Sequence, residues 1–268
     1  MGVLALKLLL APGFVVLASL CARRFGPQIG GLVGGLPVVA GPILLVLVLS
    51  HGKHFGATSA QSSLLGLVSL SAFVGAYAAI CRRTGWRVTA TVAWLAFLAA
   101  TAVLSLVSVT AGAGLALAAG SFVVGLALVP RPAAVATATE LPAWDLPMRA
   151  VTAAAMVVAI TAVSGALGPH VSGLLAPAPI VTSVLAAFTQ AQRGPQETLA
   201  LLRGMLVGFF AFAAFNFTVA VSLPAWSTGA AFALATTVAV AVQLAWLVVR
   251  RGGQDIRAAR ALPTARPN

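Results

Sequence analysis

Side chains able to do acid, base or metal chemistry are scarce in this sequence. Four carboxylates occur in 268 residues, Glu140, Asp145, Glu197 and Asp255, and none precedes residue 140. Hydrolysis by paired carboxylates, or a carboxylate-bound metal, therefore has no material in the first half. His51 and His54 flank Gly52 and Lys53 as HGKH, but two imidazoles without a third ligand nearby fall short of a transition-metal site. No GxSxG elbow, HExxH pair or phosphate-binding loop is present, so the chain is expected not to be an enzyme and to carry no cofactor. Cys21 and Cys81 close apolar runs beside arginines, where cytosolic thiols stay reduced, and are expected to pack without a disulfide.

What the sequence does contain is one unusual apolar phrase written twice. Residues 26–39 read GPQIGGLVGGLPVV and residues 168–181 read GPHVSGLLAPAPIV, 142 positions later. Pro37 falls about ten residues into its apolar run, which at 1.5 Å per residue is ~15 Å deep, near the bilayer midplane. Pro179 reaches the same depth in its own run. Proline deletes a backbone hydrogen bond and clashes with the carbonyl four residues back. Gly34, Gly35, Gly41 and Pro42 around the first proline, and Pro177, Thr182 and Ser183 around the second, favour unwinding. Two such breaks would turn free N–H groups and the positive ends of half-helices toward one central volume, which suits an anion or a carboxylate-bearing solute. Pro37 and Pro179 are the expected break points, and the seven neighbours just named are the expected solute-contacting residues. The competing explanation is close packing, since small residues also let membrane helices approach one another.

The elements that must position these residues follow from composition. The chain is 60% hydrophobic and 7% charged, with mean hydropathy +1.05, against about 25% charged residues in soluble domains. Its net charge of +12 sits in short basic clusters between apolar runs, a pattern of topology signals with no nucleic-acid partner expected. Runs long enough to span a bilayer occur at 4–22, 28–50, 60–81, 88–109, 111–130, 149–167, 170–190, 198–222 and 228–250, with a tight turn expected at Ala111-Gly112. With the amino terminus outside, fourteen of the sixteen Lys and Arg residues fall on the cytosolic side, leaving Lys7 and Lys53 outside. The first 22 residues could be read as a signal peptide, but Lys7 matches Arg149 at the offset of 142, so the first run belongs to the repeated unit.

At that offset, Gly26, Pro27, Gly31, Leu32, Pro37, Val39, Gly52, Leu64, Gly66, Ala72 and Phe73 recur as Gly168, Pro169, Gly173, Leu174, Pro179, Val181, Gly194, Leu206, Gly208, Ala214 and Phe215. Runs one to four match runs six to nine, and the fifth has no partner. The second copy then enters the membrane after an odd number of crossings and is inverted relative to the first. The expected fold is an all-α polytopic membrane protein of about nine spans, with two inverted four-helix repeats around a central helix. Its parts are a first repeat at 1–110, the central helix and cytosolic connector at 111–148, a second repeat at 149–251, and a disordered basic tail at 252–268. The phrase GPQIGGLVGGLPVV on an arginine-preceded second helix resembles small four-helix bacterial membrane proteins of the domain-of-unknown-function type, two of which would be fused here through an extra helix. The resemblance implies a bacterial inner membrane and no particular activity.

Inverted repeats with broken helices are the plan of many secondary transporters. The expected function is a permease for a small anionic or neutral solute, working by alternating access around the second and seventh runs. A lipid flippase or scramblase would instead show a polar groove open to lipid, and a non-transporting scaffold would show the Gly/Pro positions packed without a cavity. The expected partners are the lipid bilayer and the solute. A homodimer through Gly112, Gly114, Gly120 and Gly125 is open beside the alternative that these residues let the two halves approach. Gln28 and His170 are expected as caps near the interface, Gln190, Asn216 and Gln243 as inward-facing, Arg203 as a snorkelling side chain, and 131–149 as an ordinary connector with Trp144 at the interface.

Overall fold

A backbone that crosses hydrocarbon must satisfy its own N–H and C=O groups, and a helix does so within one segment. The computed structural model describes the backbone of residues 2–133, 142–164 and 173–261, with side chains for 8–133, 142–159 and 173–249, and all of its regular structure is helical. Glu140, Gly168, Pro169 and His170 lie outside the described residues, as do the side chains of Lys7 and of the arginines from Arg250 onward. The helices are α1 (Gly2–Phe25), α2 (Pro27–Gly34), α3 (Ala40–His51), α4 (Lys53–Ile80), α5 (Trp86–Leu104), α6 (Ala111–Leu128), α7 (Asp145–Ser164), α8 (Ile180–Arg193), α9 (Pro195–Ser222) and α10 (Thr228–Ala261). Seven stretches are long and apolar enough to cross a membrane: Leu8–Phe25, Lys53–Ile80, Trp86–Leu104, Ala111–Leu128, Gly173–Arg193, Pro195–Ser222 and Thr228–Val249. This is the makeup of a polytopic membrane protein.

Two helices organise the rest. In α4 and α9 the apolar windows are 67% and 78% buried, against 22% in α5 and 11% in α10, so the first pair is the centre and the second pair faces outward. Both central helices have 28 residues, about 42 Å at 1.5 Å per residue, longer than a ~30 Å hydrocarbon core. Each follows a single glycine at positive φ, Gly52 (88°) and Gly194 (84°), and a third such glycine, Gly26 (90°), is the whole link between α1 and α2. Only glycine takes that backbone conformation without strain.

Glycines let backbones meet at the centre. A Cβ on Gly35 would stand 2.8 Å from Gly208 Cα and from the Met205 carbonyl oxygen, and Gly31 and Gly204 are filled in the same way by α9 and α2 backbone. Gly66 of α4 abuts the Leu174 carbonyl and Pro177, while Gly208 of α9 abuts the Leu32 carbonyl and Gly35. These two sets stand 142 positions apart throughout. Helix α6 lies between α4 and α9, with Leu64 against Gly114 and Leu206 against Gly125. Gly112 and Gly120 meet nothing and face outward.

Several boundaries differ from the sequence expectation. The loop between α5 and α6 occupies 105–110, and Ala111 and Gly112 are the first residues of α6, because Thr110 caps that helix by accepting from the Ala113 N–H at 3.3 Å. α10 continues to Ala261, into the segment expected as a disordered tail. Arg203 donates to the Leu126 and Val129 carbonyls at 2.8 and 2.5 Å, tying the last turn of α6 to α9 and complementing the α6 dipole. Gly208→Ala or Gly35→Ala is expected to lower stability by about 1–3 kcal/mol through overpacking, whereas Gly120→Ala should stay within ~0.5 kcal/mol. Thermal unfolding of the purified protein in detergent checks both, and equal midpoints would remove the packing role.

Candidate functional site

The run at 28–50 is two helices, α2 and α3, separated by five non-helical residues at 35–39, with Pro37 in their middle. The second phrase breaks in the same manner: residues 173–175 are helical, 176–179 are not, and α8 starts at Ile180 with Pro179 at its cap position. Gly35 N–H still donates to the Gly31 carbonyl and Leu36 N–H to Val33, closing α2. Gly41 N–H takes the Pro37 carbonyl and Ser183 N–H takes that of Pro179, opening α3 and α8. The N–H groups of Val39, Ala40, Val181 and Thr182 have no backbone acceptor among the described residues.

All four of those residues line one cavity of about 100 Å³, together with Gly34, Leu36, Pro177, Phe209 and Phe212. That is room for several waters or a small solute. The amino-terminal ends of two half-helices thus bring their positive poles to a single, otherwise apolar volume.

The nine residues expected at the site are distributed unevenly. Gly34, Pro177 and Thr182 line the cavity between the breaks. Pro37, Gly41 and Pro42 line a different space, an open groove of about 780 Å³ shared by α3, α9 and α10. Ser183 lines a third, of about 670 Å³, beside Trp94, Met156 and Phe188. Gly35 packs against Gly208, and Pro179 ends the second break without lining any of the three. Of the nine, only Gly34, Pro177 and Thr182 line the cavity between the breaks, where Val39, Ala40 and Val181 also lie.

A second polar region occupies one end of the molecule. Asp145, in the first turn of α7, is fully buried and accepts from Arg23 at 2.7 Å and from Arg149 at 2.9 and 3.0 Å. Arg149 also reaches Gln192 at 3.4 Å and stacks over Phe188 at 5.1 Å, and Arg193 pairs with Glu197 at 3.0 Å. Gln190 donates to the Cys81 and Thr84 carbonyls and accepts from the Tyr77 hydroxyl at 2.7 Å, which brings the Arg82–Arg87 turn to this end. Ala133 N–H donates to Gln196 and adds the Arg131 segment. Lys53 lies at the opposite end of α4, donating to the Trp226 carbonyl at 2.8 Å. Asn216 is buried and bonded to the Phe212 carbonyl, and Gln243 reaches the Leu32 carbonyl at 3.3 Å, so both are inward-facing.

Asp145 is the residue that sequence reasoning passed over by treating 131–149 as a connector. Its signal was the spacing: Asp145 and Arg149 stand one helical turn apart, as do Arg193 and Glu197. Compared with known proteins, the chain matches no family model, no curated sequence and no solved structure at a significant level.

Burial alone would push the Asp145 carboxyl up, but hydrogen bonds from Arg23 and Arg149 outweigh it and hold the group below its ordinary value. Stability from a carboxylate held low is present above the ordinary Asp range, near 3.9, and is lost as the pH falls below it. Removing one partner of a buried ion pair costs about 3–5 kcal/mol. Asp145→Asn should therefore melt well below the parent protein between pH 5 and 8, with the gap closing below about pH 4. A gap that is absent at pH 7, or unchanged in acid, would show that the network does not hold α1 to α7.

Proposed function

We propose that this chain is an inner-membrane transporter that moves a small anionic or neutral solute by alternating access around its two broken helices. The observation that carries the reading is the meeting of both breaks in one cavity. Two unwound segments related by a shift of 142 residues bring equivalent residues, Val39 with Val181 and Ala40 with Thr182, to the lining of one cavity. Irregular backbone at membrane depth is tolerated where it is covered by protein or lines a cavity, and here it does both.

On this reading the chain crosses nine times, counting α2 with α3 as one interrupted crossing and adding α7 to the seven long apolar stretches. Two four-helix units then lie inverted about α6, which agrees with the matched lengths of α4 and α9 and with the matched leucines on Gly114 and Gly125. The arginine-rich end is cytosolic and Lys53 is external, in keeping with the retention of basic residues inside. The solute is anionic or neutral because the cavity offers two helix amino-terminal ends and no carboxylate. Rocking of one unit against the other would open the cavity first to one side and then to the other.

A scaffold that transports nothing has one observation in its favour, the tight packing of Gly31, Gly35, Gly204 and Gly208. Single cysteines at Val39, Ala40, Val181 and Thr182, in a background lacking Cys21 and Cys81, separate the two readings. Transport predicts labelling by a membrane-impermeant thiol reagent from at least one side, in intact cells or inverted vesicles. It also predicts that Pro37→Ala and Pro179→Ala, by letting the helices close across the breaks, slow flux of small monocarboxylates into proteoliposomes about tenfold, a barrier change near 1.4 kcal/mol. No labelling from either side, with no flux above that of empty liposomes, leaves the scaffold.

A further inference from the structure

Helices α5 and α7 both pack on α8 and leave an open crevice of about 670 Å³ between them. Trp86 and Trp94 form one wall, Trp144, Met148 and Met156 the other, and Phe188 stands on the floor. Met148 and Met156 are eight positions apart on α7, about 12 Å at 1.5 Å per residue, close to the ~15 Å of hydrocarbon in one leaflet. The hydroxyl protons along this stretch are already used, Thr152 donating to the Met148 carbonyl and Ser183 to that of Ile180. A polar solute finds little to bond there, whereas a flexible apolar chain finds aromatic and thioether surface.

A second trough, of about 480 Å³, shares Trp86, Ala90 and Trp94 with the first. These three stand a turn apart on one face of α5, so they form a ridge with an apolar space on each flank. Trp94 meets Phe73 and Phe97 edge-on at 6.0 and 5.7 Å, which fixes the ridge. Arg87 lines the second trough and lies 5.4 Å from the Trp86 ring centroid, and the turn leading into α5 carries Arg82 and Arg83. All three arginines are exposed, and none forms an ion pair or side-chain hydrogen bond among the described residues. The described carboxylates, Asp145 and Glu197, are both paired with other arginines.

We propose that the ridge is a binding site for one diacyl glycerophospholipid with an acidic headgroup, its two chains lying on either flank of Trp86 and Trp94 and its headgroup on Arg87. Charge complementarity selects the headgroup, since an arginine near the membrane surface favours an acidic lipid by about fivefold in affinity. Tryptophans at the mouth, Trp86 and Trp144, suit the level where headgroup meets hydrocarbon. A second copy of this chain is a poor occupant, because with net charge +12 and four acidic residues it would bring further positive charge to a positive rim. The site needs only that the chain sits in a bilayer, and does not depend on whether it transports.

The test is quenching of tryptophan fluorescence by lipids with brominated chains, using the full-length protein in phosphatidylcholine vesicles. Trp226→Phe and Trp246→Phe leave the signal to Trp86, Trp94 and Trp144. Brominated phosphatidylglycerol is expected to reach half-maximal quenching at about one-fifth the mole fraction that brominated phosphatidylcholine requires. Arg87→Gln should bring the two curves together, while Arg24→Gln, at an exposed arginine that lines neither trough, should leave them apart. Coincident curves in the parent protein, or a difference that survives Arg87→Gln, would overturn the proposal. So would an equal loss in Arg24→Gln, which would reveal a general attraction of the basic surface, or an absence of quenching by either lipid.

Discussion

Backbone polar groups without partners are the constraint around which this molecule is arranged. In a polytopic membrane protein an unwound segment frees N–H and C=O groups that lipid could not satisfy, and the chain can keep such a segment only by covering it with protein. The covering is done by α4 and α9, whose glycines at 66, 204 and 208 admit another backbone to contact distance. That requirement accounts for their length, their burial and their small residues. It also sends α5 and α10 to the periphery, where the rest of the chain leaves their apolar faces largely uncovered.

The two ends of the bundle are held by different forces. At one end, charges are buried against each other, with Asp145 bridging two helices and Arg203 closing a third. At the other, Lys53 reaches a carbonyl and His51 stacks on Phe55 at 4.7 Å, contacts that are exposed and individually weak. Positions 142 apart differ in chemistry here, since Arg193 and Glu197 stand where His51 and Phe55 stand in the first half. Whatever symmetry the backbone has, its fastening is one-sided.

Much of the fold could be read before any coordinates, and the reasons are local. Proline between glycines at 34–42 and around 177–179 leaves a helix little choice, so the two breaks were legible. The loop at 105–110 was not, because Ser105 to Val109 look as apolar as the helix before them and only Thr110 marks the restart. Which of the named residues line the cavity between the breaks was not legible in the sequence. Glycine that admits a neighbouring backbone and glycine that lines a void have the same one-letter signature, so Gly35 and Gly34 parted only in three dimensions. Asp145 was hidden by its setting among prolines, because its meaning depends on Arg23, 122 residues earlier.

Joints of one residue have mechanical consequences. Gly26, Gly52 and Gly194 are each the entire connection between two helices. A linker that short has no slack, so α3 cannot tilt without moving the start of α4, and α8 is geared to α9 in the same way. A displacement at either unwound segment would therefore be passed along a rigid helix to the start of α4 or of α9.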